Sequence, residues 1–151
     1  MNIHAGCVTI DGKGVLLLGE SGAGKSFLAL RLMDGGARLV ADDRCDVFVR
    51  AGKLCAAPPR AIAGLMELRG IGIVALPYVK RVRLAMAVRL MRNPPRTRLP
   101  APVFYPPPAP LQAASIPLIV VNGESAAAPA LVRAALAAFS RKAFRDTFNP
   151  D

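Results

Sequence analysis

The sequence predicts an α/β fold: a P-loop-containing mixed sheet with flanking helices. Three observations carry that expectation. An apolar run, Val15-Leu16-Leu17-Leu18, leads directly into Gly19-Glu20-Ser21-Gly22-Ala23-Gly24-Lys25-Ser26, which fits G-x-x-x-x-G-K-[ST]. Ser26 to Met33 then places apolar residues at helical spacing. Beyond it, short apolar runs alternate with Gly-, Pro- and Asp-marked turns, which is the signature of strands and hairpins.

The elements follow in chain order. Cys7 to Ile10 alternates and runs into Asp11-Gly12-Lys13-Gly14, a hairpin turn signal. Val15 to Leu18 has no polar face, as expected of a strand covered on both sides. The helix after the Gly-rich loop stops at Gly35-Gly36, where glycine supplies the positive φ of a C-cap. Arg38 to Ala41 is a strand delivering Asp42-Asp43 at its end, and Asp46–Arg50 with Lys53–Ala57 flank Ala51-Gly52 as a second hairpin. Pro58-Pro59 precedes a short helical stretch near Ala61. Leu65 to Ala75 contains Glu67-Leu68-Arg69-Gly70-Ile71-Gly72, read as a Gly-punctuated loop between apolar runs. Val82 to Leu90 alternates basic and apolar residues, so it is expected to be a strand with one wet face.

Residues 94–110 hold eight prolines in seventeen positions, which excludes regular helix or an inner strand and predicts an extended or mobile segment. Leu118 to Val121 is the last strand, and Pro129, at a helix N1 position, opens an Ala-rich helix running toward Phe144.

Composition bounds the rest. The 151 residues make one domain, 53% hydrophobic and 20% charged, able to bury a sizeable core. No apolar stretch reaches the roughly 18 residues of a membrane span, and no basic-then-apolar leader opens the chain, so a soluble, cytoplasmic protein is expected. Cys7, Cys45 and Cys55 are odd in number and lack C-x-x-C spacing, which makes them reduced small hydrophobes instead of zinc ligands. The net charge of +10 is uneven, with residues 1–75 carrying +2 and residues 76–151 carrying +8. That field suits an acidic partner. The scarcity of aromatics in the basic half argues against nucleic acid. Lys80 to Arg98 alone holds seven Lys/Arg and no acid, either a solvated strand face and loop or a docking surface.

The chemistry centres on the Gly-rich loop. Successive backbone N–H groups of Gly19, Glu20, Ser21, Gly22, Ala23 and Gly24 can turn inward around phosphate oxygens, helped by the positive end of the following helix. Lys25 would reach the β/γ-phosphates, and the Ser26 hydroxyl would coordinate Mg²⁺. Asp42-Asp43 brings two carboxylates to a strand's C-terminal end, beside the loop. One could face Mg²⁺ and the other an acceptor hydroxyl, as base and positioner. Glu67 is the only acid between Asp46 and Glu124, so it either pairs with Arg69 or binds a cation. His4 is the only histidine.

Taken together, Ile3-His4-Ala5, the Gly19–Ser26 loop, Arg38-Leu39-Val40-Ala41-Asp42-Asp43 and Met66-Glu67-Leu68-Arg69-Gly70-Ile71-Gly72-Ile73 resemble the catalytic domain of HPr kinase/phosphorylase. The likeness covers residues 1–76 and fades afterwards. It implies an ATP- and Mg²⁺-dependent kinase phosphorylating a serine of HPr, the phosphocarrier of the sugar phosphotransferase system. The reverse phosphorolysis would yield pyrophosphate. Carried onto this chain, Lys25 and the loop amides bind phosphate, Ser26 and Glu67 lie near Mg²⁺, Asp43 is the base with Asp42 beside it, and His4 sits close to the pair. Homo-oligomers, commonly hexamers, are also implied.

Departures from the family pattern qualify this. The separate N-terminal domain of many members is not expected ahead of His4, as in the short form associated with alphaproteobacteria. Phe27 stands where the family usually has Glu. The loop contributing to dephosphorylation corresponds to Val121-Asn122-Gly123-Glu124-Ser125, without its Arg, so kinase chemistry is better supported than phosphorylase chemistry. Arg98 is the choice for the late catalytic arginine. A P-loop kinase of small molecules and a non-catalytic nucleotide-sensing module are the alternatives.

Overall fold

The computed structural model describes residues 1–144. Among these, the chain order is β1 (Asn2–His4), β2 (Gly6–Ile10), β3 (Lys13–Leu18), α1 (Lys25–Asp34), β4 (Arg38–Ala41), β5 (Arg44–Arg50) and β6 (Lys53–Ala57). A single 3₁₀ turn, Arg60–Ile62, precedes β7 (Leu65–Leu68), β8 (Gly72–Ala75) and β9 (Val82–Leu90). Then come β10 (Val103–Tyr105), β11 (Ile116–Val121) and α2 (Ala128–Ser140). A nine-stranded mixed sheet runs β1-β5-β6-β9-β3-β2-β4, with β11 also on β9 and β10 on β11, while β7 and β8 form a separate hairpin.

Most pairings are antiparallel, but β3 and β9 run parallel, as do β9 and β11. β6 takes only the start of β9, at Val82 and Arg83, whereas β11 takes its end, from Ala87 to Leu90. One edge of β9 therefore serves two neighbours in succession. Alternation along β3 distributes its side chains to two cores. Val15 and Leu17 join Leu28, Leu32, Val132 and Leu136 under the helices, and Leu16 and Leu18 join Val40, Val47 and Tyr105 on the other face. All three cysteines are free and buried, as their spacing suggested.

Several expectations need correction. Glu67 lies on β7, not in a loop; the turn is confined to Arg69–Ile71, because Met66 pairs with Val74 and anchors the hairpin in the core. β9 has no wet face along its middle: Met86, Ala87 and Val88 are all buried, and exposed Arg83 and Arg89 stand near its ends. The Pro-rich segment is irregular on both sides of β10, a three-residue edge strand whose inward Tyr105 is buried while Val103 and Phe104 stay exposed; edge positions tolerate flanking prolines. Ala128 opens α2 one residue before Pro129, and the helix ends at Ser140, short of Phe144.

Candidate active site

The parallel trio sets the site. β3, β9 and β11 point the same way, so the loops that leave them emerge together at their C-terminal ends, the edge where open α/β sheets bind ligands. The loop after β3 is the Gly19–Ser26 segment. Gly24, at φ 96°, turns the chain in the left-handed region immediately before α1, a conformation closed to most side chains. Lys25 folds back across the loop, its Nζ donating to the Gly19 carbonyl at 2.6 Å and the Glu20 carbonyl at 3.1 Å. It is only 8% exposed, and burial lowers its pKa, with the nearby charges of Asp43 and Asp42 working against that shift.

Asp42 and Asp43 occupy the bend between β4 and β5, and the two carboxylates part ways there. Asp42 Oδ1 accepts the Ser26 hydroxyl at 2.7 Å, and its Oδ2 accepts the backbone N–H of Glu67 at 3.1 Å. One carboxylate thus ties the start of α1 to the β7–β8 hairpin. Asp43 sits at φ 67°, in the left-handed region that Asp tolerates better than most residues. Its Oδ1 accepts a hydrogen bond from Nε2 of His4 at 2.7 Å. His4 is delivered by β1 because its Cα partner is Arg44, the residue after Asp43. Alternation on β7 buries Met66 and turns Glu67 outward. Gly22, Lys25, Ser26, Asp42, Asp43 and Glu67 line one cavity of about 360 Å³.

Glu67 forms no ion pair with Arg69, whose guanidinium carbon lies 5.9 Å from the centroid of the Phe27 ring. Arg98, in the exposed segment before β10, is not brought to this cavity.

The sequence reading missed the support behind the loop. Arg31 of α1 donates to the Ser125 carbonyl at 2.9 Å and also to that of Gly123. Gly123 lies so close under the phosphate loop that a Cβ there would come within 2.7 Å of the Ala23 carbonyl. Arg92, just past β9, reaches the Gly22 carbonyl at 3.5 Å and places its Nε 3.7 Å from Glu124. No local pattern marks these residues, since each acts on a partner at least 70 positions away or in another loop.

A mixed sheet whose phosphate-type loop faces a carboxylate pair across one cavity defines a P-loop protein. The model of the HPr Serine kinase C-terminal domain matches residues 1–91, and the chain belongs to that family. It is 45% identical over 75 residues to an HPr kinase/phosphorylase of Clostridium tetani, and 50% identical over 74 residues to one of Lactobacillus delbrueckii subsp. bulgaricus. Those matches take in 50% and 48% of this chain but 25% and 23% of the relatives, so the chain matches about a quarter of their length. The solved Hpr(Ser) kinase/phosphatase from Coxiella burnetii superposes with a TM-score of 0.80 at 26% identity, covering 94% of this chain and 97% of that one. The structural likeness thus runs through the second half, where the sequence resemblance faded.

Proposed function

We propose that this chain is a serine kinase that transfers the γ-phosphoryl group of ATP to the phosphocarrier protein HPr. The observation that carries the reading is the division of labour between the adjacent acids: Asp42 on the Ser26 side, Asp43 on the His4 side, both opening on the Lys25 cavity. Loop amides and the N-terminus of α1 hold the phosphates, with Lys25 exchanging its bonds to Gly19 and Glu20 for phosphate oxygens. An acceptor serine approaches from the Asp43 side. As its oxygen bonds to Pγ and the bond from Pγ to the bridging oxygen of ADP breaks, the hydroxyl proton passes to Asp43. His4 keeps that carboxylate aimed by donating Nε2–H to it.

The donor set suits Mg²⁺. Among the described residues no three His, Cys, Asp or Glu side chains cluster into a cage. Mg²⁺ needs none, because it takes one or two carboxylates and completes its shell with waters and substrate phosphates. Ser26 and Asp42 would hold it, with Glu67 on the same cavity wall. When bound, it neutralises charge on the transferring and leaving phosphates. In the phosphorolytic direction an oxygen of inorganic phosphate bonds to the phosphoserine phosphorus, forming pyrophosphate, while the bond from phosphorus to the serine oxygen breaks and Asp43 returns the proton to that oxygen.

The test is intact-mass analysis of HPr incubated with this protein, ATP and Mg²⁺. A Lys25→Ala variant and an HPr lacking its regulatory serine serve as controls. One phosphoryl group is expected on HPr, dependent on both Lys25 and that serine. Absence of transfer in the presence of ATP binding would redirect the reading to a metabolite kinase or a nucleotide sensor.

A further inference from the structure

We propose that the outer wall of the cavity is a stacking shelf for the nucleoside of the bound nucleotide, with the Phe27 ring and the Arg69 guanidinium holding the base and Leu30 and Ile71 flanking it. The proposal rests on the loop binding a nucleotide's phosphates. Phe27 directly follows Ser26 in the first turn of α1, so a phosphate chain held by the loop amides has this residue at its exit.

The wall is apolar where solvent reaches it. Leu28, Ala29 and Leu32 carry the buried face of α1, while Phe27 is 52% exposed and Leu30 is 40% exposed. Ile71, at the tip of the β7–β8 hairpin, is 82% exposed. A single exposed hydrophobe is ordinary. Four chemically compatible groups from two elements bordering one cavity form a surface suited to a flat, weakly polar ring. Arg69 supports this use, because its planar cation already sits 5.9 Å from the Phe27 centroid and is not engaged by the neighbouring Glu67.

The chemistry also predicts the selectivity. Stacking reads the π-face of a base and not its hydrogen-bonding edge, so a shelf built from Phe, Leu, Ile and Arg accepts any purine. ATP and GTP are therefore expected to bind comparably.

Calorimetric titration of wild type, Phe27→Ala and Phe27→Trp with ATP, GTP and pyrophosphate, each with Mg²⁺, tests this. Loss of a base–aromatic stack is expected to weaken ATP and GTP about 5- to 150-fold in Phe27→Ala, with pyrophosphate affinity unchanged. Phe27→Trp should restore nucleotide affinity. Unchanged ATP binding in Phe27→Ala, or an equal loss for ATP and pyrophosphate, overturns the shelf. Unchanged ATP binding combined with a raised KM for HPr would assign the same face to the protein acceptor. Wild type binding pyrophosphate but not ATP overturns the shelf and leaves the phosphate loop standing; binding of neither overturns the loop reading itself.

Discussion

Asp43 carries the most specific expectation at the residue scale. Its Oδ1 is committed to His4, and its backbone stays in a left-handed conformation that Asn adopts equally well. Asp43→Asn should therefore leave the fold and nucleotide binding intact while cutting phosphoryl transfer by about 10²- to 10⁴-fold, the scale of a lost general base. Initial rates of HPr labelling at saturating ATP measure it, and a near-normal rate would move the role to Asp42. Lys25 brings a pH dependence with a definite sign. Burial lowers its pKa from 10.5, whereas a bound phosphate would raise it again. Between those two values binding takes up a proton, so pyrophosphate affinity should fall about tenfold per pH unit, beginning below the usual lysine range. Titrations at several pH values through the alkaline range up to 10.5, in buffers of different ionisation enthalpy, would detect the proton. Stability runs the opposite way: as pH rises from the depressed folded value to 10.5, the unfolded chain holds the proton longer, so this lysine's penalty on folding is relieved. Urea midpoints compared with Lys25→Met across that window check the sign.

The phosphate loop works at the element scale as one of three loops stacked at the ends of β3, β9 and β11. Gly123 is where they touch. An alanine there would put its Cβ 2.6 Å from Leu90 Cδ2 and 2.7 Å from the Ala23 carbonyl, and the backbone partner cannot swing away as a side chain end can. Gly123→Ala should destabilise the protein by about 1–3 kcal/mol and weaken pyrophosphate binding by displacing the loop. Gly22 makes the useful contrast: its φ of 82° strains any side chain, but a Cβ there meets nothing within 4 Å. Gly22→Ala should therefore show only the conformational cost of about 1–2 kcal/mol. Denaturation midpoints separate the two, because only Gly123→Ala should respond to a second change that trims Leu90. The β7–β8 hairpin belongs to this scale as well. Met66 in the core sets which way Glu67 faces, and Asp42 holds the Glu67 amide.

The whole molecule is stitched by strands that pair out of sequence order, so the two sides of one exposed connection are each held by their own sheet partners. Residues 91–102 are irregular and almost wholly exposed, and they contain Arg92, Arg96 and Arg98. β9 before them is held by β3 and β6, and β10 after them is held by β11. Trypsin is expected to cut first between Arg92 and Leu99, and the two fragments should remain together on gel filtration because β11 still pairs with β9. Early cleavage elsewhere, or separation of the fragments, would contradict that picture. No helix among the described residues is long and apolar enough to cross a membrane.

The sequence by itself determined what is encoded within a few residues. It specified the loop from Gly19 to Ser26, the helix after it, the hairpins at Asp11-Gly12 and Ala51-Gly52, and the acid pair at a strand end. Local sterics and periodicity suffice for these, since a φ above zero or a 3.6-residue repeat is a property of neighbouring residues. Tertiary structure alone decided which partner each acid meets. Asp42 and Asp43 are indistinguishable as letters; Ser26, 16 positions back, captures one, and His4, 39 positions back, captures the other. It also decided that Glu67 is a strand residue, that β9 is covered on both sides, that Arg31 and Gly123 brace the loop, and that Arg98 stands off the cavity. The reason is common to all of them. Register and parallel pairing join segments far apart in the chain, and the partner that gives a residue its role is not written beside it.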